Sequence, residues 1–150
     1  MSSDRTLQRL RTFLLALSGL ICLTTPIELA ASEHYQEPVQ VIPFLLCIFG
    51  FTAVLFALLR PQRRSLLWLR GVMAALVAGS LVGVVLHISG NLDFAKEVDA
   101  GATTAQIWLA TFQGAAPMLA PGILALAGIL AGAATYHHPV LLAARQEPGS

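Results

Sequence analysis

Charged residues are scarce in this 150-residue chain, and their scarcity limits the class of protein it can be. Only 11% of the residues are charged and 56% are hydrophobic, and the mean hydropathy is +0.73. A soluble globular domain carries about 25% charged residues. The chain therefore has too little charge to cover a water-exposed surface, and the sequence predicts an integral membrane protein with the lipid bilayer as part of its solvent.

The motifs of several large enzyme classes are also missing. The sequence has no phosphate-binding glycine loop, no CxxC or CxxCH pair, no HExxH and no GxSxG. These patterns are typical of nucleotide binding, serine hydrolysis and covalent attachment of haem, so nothing in the sequence supports those activities. No basic patch is interleaved with aromatic residues either, so neither a nucleotide nor a nucleic acid is an expected partner. The composition thus leans away from an enzyme.

Cysteine is represented by only two residues, Cys22 and Cys47, each near the middle of an apolar run. Two cysteines in such surroundings do not make a disulfide framework. We expect both to be buried and to behave as small hydrophobic side chains.

Long apolar runs, by contrast, are abundant. Four of them reach the roughly 20 residues that a membrane-spanning helix needs, at about residues 12–31, 39–59, 66–89 and 105–134. Backbone groups in lipid must pair within their own segment, so these runs should be helices. The sequence predicts a single all-α domain over residues 1–150, an up-down bundle of four transmembrane helices.

Basic residues are concentrated on one side of the predicted bundle. Lys96 alone falls on the other side, and cytoplasmic connections are the ones enriched in Lys and Arg. Both termini are therefore predicted to be cytoplasmic, in a multi-pass protein of a bacterial inner (plasma) membrane. The eight residues of the basic side are Arg5, Arg9, Arg11, Arg60, Arg63, Arg64, Arg70 and Arg145.

The amino-terminal run allows a second interpretation. Arg5, Arg9 and Arg11, an apolar stretch and the letters "AAS" could form a secretory signal peptide cut after Ser32. The run is long enough to span a bilayer, however, and a carboxylate at Glu28 fits poorly beside a cleavage site. A retained helix is the favoured interpretation, and the predicted orientation is the same either way.

The fourth run is too long and contains too much proline for one straight span. From residue 103 to residue 136 it would measure about 50 Å, against a hydrocarbon core of about 30 Å. Pro117 and Pro121 each remove a helical hydrogen bond. We therefore expect a kink or break between Gln113 and Pro121, a feature that can also mark a transport site.

Pairs of glycines four residues apart occur in the third and fourth runs, as Gly79 and Gly83 and as Gly128 and Gly132. Small residues at this spacing let helices approach closely in lipid. Both pairs are predicted to face the interior of the bundle.

Two patterns predict where helices begin. Glu37, Pro38 and Gln40 suit the cap, the first position and the third position of a helix. Thr103 and Gln106 have the spacing of a capping box. On the inner side, His137 and His138 follow a helix end, where a partly protonated histidine would suit the negative end of the helix dipole.

A polar cluster is predicted at the outer end of the bundle from the depth of two residues. Glu28 lies about 17 positions after Arg11, and His87 lies about 17 positions after Arg70, so both reach a similar height. Polar groups at that depth are costly unless they are paired or face water.

Imidazole and carboxylate groups suit a transition metal, and two histidines could also hold a haem. A structural hydrogen bond between the two helices and a proton- or substrate-handling pair are the alternatives. The candidate metal ligands are His87, Glu28 and His34, and the further polar members of the cluster are Glu37, Asn91 and Gln113.

Three functions fit these features. The favoured one is an accessory or binding subunit of a larger membrane assembly, with other membrane proteins as partners, because the chain has only short connections and no soluble domain. The second is a metal- or haem-handling membrane redox protein that uses Glu28 and His87. The third is a small transporter or proton-coupled pore.

Overall fold

The computed structural model describes residues 3–114 and 121–146, and the regular structure in these residues is entirely helical. Three helices, α1 to α3, are long and apolar enough to cross a membrane, which indicates a helical membrane protein as the sequence predicts. The helices are α1 (Ser3–Ala31), α2 (Pro38–Leu59), α3 (Arg63–Val98), α4 (Thr104–Phe112), α5 (Gly122–Ala134) and α6 (Pro139–Gln146).

The third helix continues well past the end of its predicted span. It has 36 residues and ends at Val98, whereas the apolar run ends near residue 89. At 1.5 Å per residue α3 is about 54 Å long, against a hydrocarbon core of about 30 Å. Asn91, Asp93 and Glu97 therefore lie on a helix and not in an outer connection, which corrects the sequence-based boundary.

The region of the fourth predicted span contains two separate helices, α4 of 9 residues and α5 of 13 residues. Residues 115–120, with Pro117, lie outside the described residues. That residues 105–134 form one kinked span is therefore still a prediction.

The helices pack in a fixed pattern of neighbours. α1 packs against α2 and α5, and α3 packs against α2, α4 and α5. Within the described residues α1 and α3 are thus diagonal and not adjacent. Cys22 on α1 and Cys47 on α2 are free and buried, as predicted. The apolar side chains of this core that are at most 1% exposed are Cys22, Cys47, Ala53, Leu66, Leu69, Leu76, Ala127, Ala131 and Ala134.

Three of the four paired glycines lie at helix contacts. A Cβ atom at Gly79 would meet Leu46, one at Gly83 would meet Pro121, and one at Gly128 would meet Val77. Gly132 has no neighbouring atom within 4 Å of that position. The prediction that both pairs face the bundle interior is therefore wrong for Gly132, which borders an open groove.

The first connection is a tight turn between two capped helix ends. After α1, the His34 N–H donates to Leu29 O at 2.9 Å and the Glu33 N–H donates to Ala30 O at 3.1 Å. This is a Schellman motif, and Glu33 takes the required left-handed conformation with φ 54°.

Both predicted helix starts are confirmed. The Gln40 side chain accepts from the Glu37 N–H at 3.2 Å ahead of α2. The Gln106 side chain accepts from the Thr103 N–H at 2.8 Å ahead of α4, and the Gln106 N–H donates to Thr103 Oγ1 at 3.4 Å.

Candidate functional site

Two of the three predicted ligands lie together at the end of the bundle that carries the turn after α1. This end is named the outer end, and the opposite end the inner end, after the orientation predicted from the sequence. His34 lies in the turn after α1 and His87 lies on α3, and both are half-buried. Their ring centroids are 6.2 Å apart with an angle of 61° between the ring planes. His34 follows Glu33 in the Schellman turn that ends α1, so it belongs to the connection between α1 and α2 and not to either helix.

Glu28 is placed differently from the histidines. It is exposed on α1, and α1 is not a neighbour of α3. Equal depth along two helices therefore does not by itself bring Glu28 to His87. A contact between the Glu28 carboxylate and His87 remains a prediction.

Asn91 has a structural role in the described residues. It is only 5% exposed, and its Nδ2 donates to the Thr111 carbonyl oxygen at 3.1 Å. Its side chain also fills the space beside Gly114, where a Cβ atom would collide with it. Asn91 thus holds the end of α4 against α3.

Glu37 and Gln113 lie at helix ends. Glu37 is the exposed N-cap of α2, and Gln113 is the exposed C-cap of α4. Their membership of a wider polar cluster remains a prediction. In residues 3–114 and 121–146, no three His, Cys, Asp or Glu side chains lie close enough together to hold a metal ion.

The inner end of the bundle contains a polar site that the sequence did not reveal. Arg11 is 7% exposed, and its Nη2 donates to the carbonyl oxygens of His137 at 2.9 Å and Tyr136 at 3.4 Å. Arg70 donates from Nε to Thr135 Oγ1 at 2.9 Å and from Nη2 to the Thr135 carbonyl oxygen at 2.8 Å.

These contacts have a simple physical cause. The last carbonyl groups of a helix have no partner within the helix, and they carry the negative end of its dipole. Arg11 and Arg70 bind the chain just past the end of α5, where that charge is concentrated. Counting charges could place both arginines on the inner side, but it could not show that they converge on one helix end.

His138 lies beside the two arginines and is buried. Burial lowers the pKa of His138 below its ordinary value, and the charges of Arg11 and Arg70 lower it further. Its Nδ1 accepts from the Val140 N–H at 3.3 Å, so a neutral His138 caps the start of α6. The lowered pKa of His138, with burial as its main cause, runs against the expectation of a partly protonated histidine at position 138, and for His137 that expectation remains a prediction.

A groove runs between α3 and α5 on the face of the bundle, with α6 at its inner end. Its volume is about 930 Å³. Small residues form one part of its wall, namely Ala74, Ala78, Gly128 and Gly132, and Arg63 and Arg70 line its inner end. The spacing of Gly128 and Gly132 in the sequence pointed to this region, although it predicted a closely packed helix contact and not a groove.

The three helices that are long and apolar enough to cross a membrane indicate a helical membrane protein. No protein-family model matches the chain, no curated protein is significantly similar to it in sequence, and no solved structure matches its fold. Its function must therefore be argued from its own surfaces.

Proposed function

We propose that this chain is an accessory or binding subunit of a larger membrane assembly, and that it docks through an outer hairpin. The outer hairpin comprises residues 87–98 of α3 together with α4 (Thr104–Phe112). The length of α3 supports this proposal. If the hydrocarbon core begins near Arg70, about 20 residues carry α3 across it to about residue 90, and the rest of the helix, with Phe94 and Val98, extends beyond the apolar part of the bilayer.

The apolar surface of the outer hairpin is the observation that carries the proposal. Phe94 and Val98 lie four residues apart on one face of α3 and are 61% and 69% exposed. On α4, Leu109 and Phe112 are exposed to a similar degree, and the ring of Trp108 lies 6.0 Å from that of Phe112. Outside a hydrocarbon core, grouped apolar side chains of this size mark an interaction surface.

Charge defines the chemistry of the partner. Asp93 and Glu97 are exposed on the outer hairpin, Asp99 is exposed in the connection between its two helices, and Lys96 is the basic residue among them. The partner is therefore a membrane-bound protein whose docking surface is apolar with a rim of Lys or Arg. Complementary charges of this kind direct association and favour one orientation.

The outer hairpin is held in shape before any partner binds. The hydrogen bond from Asn91 to Thr111 joins its two helices, and the capping box of Thr103 and Gln106 fixes the start of α4. A surface that is already ordered loses less conformational entropy on binding.

The proposed orientation places this hairpin on the extracytoplasmic side and both termini in the cytoplasm. Its support is the distribution of basic residues, eight on the side of the termini and one, Lys96, on the other.

Site-specific photocrosslinking in the membranes of the encoding organism tests the docking proposal. A photoreactive amino acid at position 94 should crosslink the chain to the same partner protein in every preparation. The same amino acid at position 35 should give no crosslink to that protein. Tyr35 is also an exposed aromatic residue on the outer side. Phe94→Ser should abolish co-purification of that protein in mild detergent, whereas Tyr35→Ser should retain it.

Salt provides a further check, because screening weakens contacts between exposed charges. Co-purification should decrease as the ionic strength rises. Crosslinks from position 94 to lipid alone, or to the same proteins as from position 35, would exclude the outer hairpin as a docking surface.

A second candidate function is favoured by the contact between His34 and His87. Metal–nitrogen bonds are about 2.0–2.1 Å long, so two imidazole rings on one ion lie about 6 Å apart when they are on opposite sides of it. The observed 6.2 Å between the ring centroids is compatible with that spacing. A metal- or haem-handling protein that uses these two histidines is therefore the alternative proposal.

A further inference from the structure

We propose that the groove between α3 and α5 binds one anionic phospholipid, with its phosphate at Arg63 and Arg70 and one acyl chain along the small residues of the groove wall. This inference is independent of the docking proposal, because the groove and the outer hairpin are different surfaces of the molecule.

The shape of the groove fits a flexible chain. Ala74 and Ala78 on α3 and Gly132 on α5 leave room where larger side chains would close the space between the helices, and Gly128 lines the groove where α5 packs closely against α3. Leu67 and Leu81 supply apolar edges, and both are exposed. The volume of about 930 Å³ is at the upper end of the range of roughly 300–1,000 Å³ for sites that hold small molecules.

The length of the groove also suits a lipid of one leaflet. From Arg70 to Leu81 the groove follows about 11 residues of α3, or roughly 16 Å. Half of a hydrocarbon core of about 30 Å is about 15 Å. A phosphate held at Arg70 would thus place an acyl chain along the groove as far as the middle of the bilayer.

The polarity of the groove matches that of a phospholipid and not that of a uniformly apolar helix. Arg63 and Arg70 lie seven residues apart on α3 and both line the inner end, and Tyr136 and His137 lie beside them. Basic pockets between transmembrane helices on the cytoplasmic side are known to bind anionic headgroups.

Arg70 is prepared for this role by its own hydrogen bonds. Its two bonds to Thr135 fix the guanidinium group and use two of its five N–H donors. In the described part of the chain the other three donors have no protein partner, and Arg70 lines the groove. A phosphate oxygen is the acceptor that such a group binds best.

Native mass spectrometry of the detergent-purified full chain tests the proposal. The protein is titrated with phosphatidylglycerol and with phosphatidylcholine of the same acyl chains. One phosphatidylglycerol molecule should bind in preference to phosphatidylcholine. Arg63→Gln should weaken phosphatidylglycerol binding about fivefold, the effect of one basic residue near an anionic lipid. Arg64→Gln is the matched control, because Arg64 is exposed next to Arg63 but does not line the groove.

A second pair of variants tests the acyl-chain part without changing any charge. Gly132→Leu should fill the groove and reduce lipid binding at least as strongly as Arg63→Gln. A Cβ atom at Gly132 meets nothing within 4 Å, so the fold should tolerate the change. Gly71→Leu is the control, since Gly71 is equally unobstructed and lies outside the groove wall. Circular dichroism and size-exclusion chromatography check that all four variants fold.

Three results would overturn the proposal. Equal binding of the two lipids would show that the arginines do not select an anionic headgroup. Full lipid binding by Gly132→Leu would show that the acyl chain does not lie in the groove. A protein dimer that is lost in Gly132→Leu would show that the groove receives a helix of a second copy instead of a lipid.

Discussion

Arg11 and Arg70 bind the same short stretch of chain at the end of α5, although α1 and α3, which carry them, are not neighbours. Arg11 donates to the carbonyl oxygens of Tyr136 and His137, and Arg70 donates to Thr135. Two diagonal helices are thereby tied together through a third. Because the bonds satisfy the carbonyl of the C-cap Thr135 and the two carbonyls that follow it, they hold the end of α5 in place as well as the packing around it.

Replacing Arg11 should therefore destabilise the bundle. In Arg11→Met the carbonyl oxygens of Tyr136 and His137 lose charge-assisted hydrogen bonds, each of which contributes about 1.5–3 kcal/mol in favourable cases. The thermal midpoint of the detergent-solubilised protein, followed by circular dichroism, should fall. Arg9→Met is the control, because Arg9 is exposed on the same helix. An equal loss in both variants would contradict a specific role of Arg11.

The two glycines of the pair on α5 should respond oppositely to alanine. At Gly128 a Cβ atom would lie 2.6 Å from Val77 Cγ2 and 3.0 Å from the backbone oxygen of Met73, which cannot easily move. Gly128→Ala should cost about 1–3 kcal/mol, as overpacking does. Gly132→Ala meets no neighbour and should be neutral or stabilise the helix by up to about 1 kcal/mol. Comparable thermal midpoints for the two variants would refute the assigned packing.

Stability should depend on pH through His138. Its pKa is lowered in the folded protein, so the unfolded chain binds a proton more readily than the folded one. The stability is complete above the unfolded pKa of about 6.5 and is lost as the pH falls through the lowered folded pKa. The thermal midpoint should therefore decrease as the pH falls below about 6.5.

The matched variants for this prediction are His138→Asn and His137→Asn. Asparagine can cap α6 in place of His138 without titrating, so His138→Asn should reduce the loss of stability on acidification. His137 is exposed and has φ 47°, a conformation that asparagine tolerates. Its replacement should leave the pH dependence unchanged. The same slope in the wild type and in His138→Asn would show that other groups govern the transition.

The orientation can be tested with reporter fusions. Reporters in the turn of residues 60–64 and after Arg145 should report the cytoplasm, and one near Asp99 should report the opposite side. The reason is the excess of basic residues at the termini and in that turn. A cytoplasmic signal from the Asp99 fusion would reverse the topology and move the outer hairpin to the inner face.

The helices themselves could be predicted well because each depends on local information. Hydropathy identified α1 to α3, and short spacing rules identified the caps at Glu37 and Thr103. Hydropathy did not predict where α3 ends, because polar residues become frequent after Ser89 and the apolar run stops there. The helix continues there because Asn91 and Ala95 are buried, Asn91 against α4.

The sites were harder to predict, because they depend on which helices are neighbours. Counting residues from Arg11 and Arg70 placed Glu28 and His87 at one depth, but depth does not say that α1 and α3 are diagonal. The same arginines were counted as markers of the inner side, and their shared contact with the end of α5 required the packing. His34 was proposed as a metal ligand from its residue type, which remains a prediction, and its contact with His87 required the packing of the turn after α1 against α3.

The histidine contact leads to a prediction about stability at the outer end. His34 and His87 have ring centroids 6.2 Å apart, and aromatic pairs at such distances contribute about 0.5–1.5 kcal/mol beyond burial. A double-mutant cycle with His34→Ala and His87→Ala should therefore show a coupling energy of that size in the thermal or denaturant unfolding of the solubilised protein. Glu33→Gln, at an exposed position in the same turn, should show no coupling to His87→Ala.

The same variants decide between a structural pair and a metal or haem site. The wild-type protein, purified without chelators, is measured for metal content and visible absorbance. A site that uses both rings predicts a bound ion or haem in the wild type that is lost in His34→Ala and in His87→Ala and retained in Glu33→Gln. Glu28→Gln then tests the wider cluster. Loss of the ion in that variant would bring Glu28 into the site, whereas retention would limit the site to the two histidines. A wild-type protein that binds no added zinc, copper or haem, but still shows coupling between the two histidines, would reduce the outer end to a packing contact. Docking through the outer hairpin would then be the remaining proposal of the two for the function of this protein.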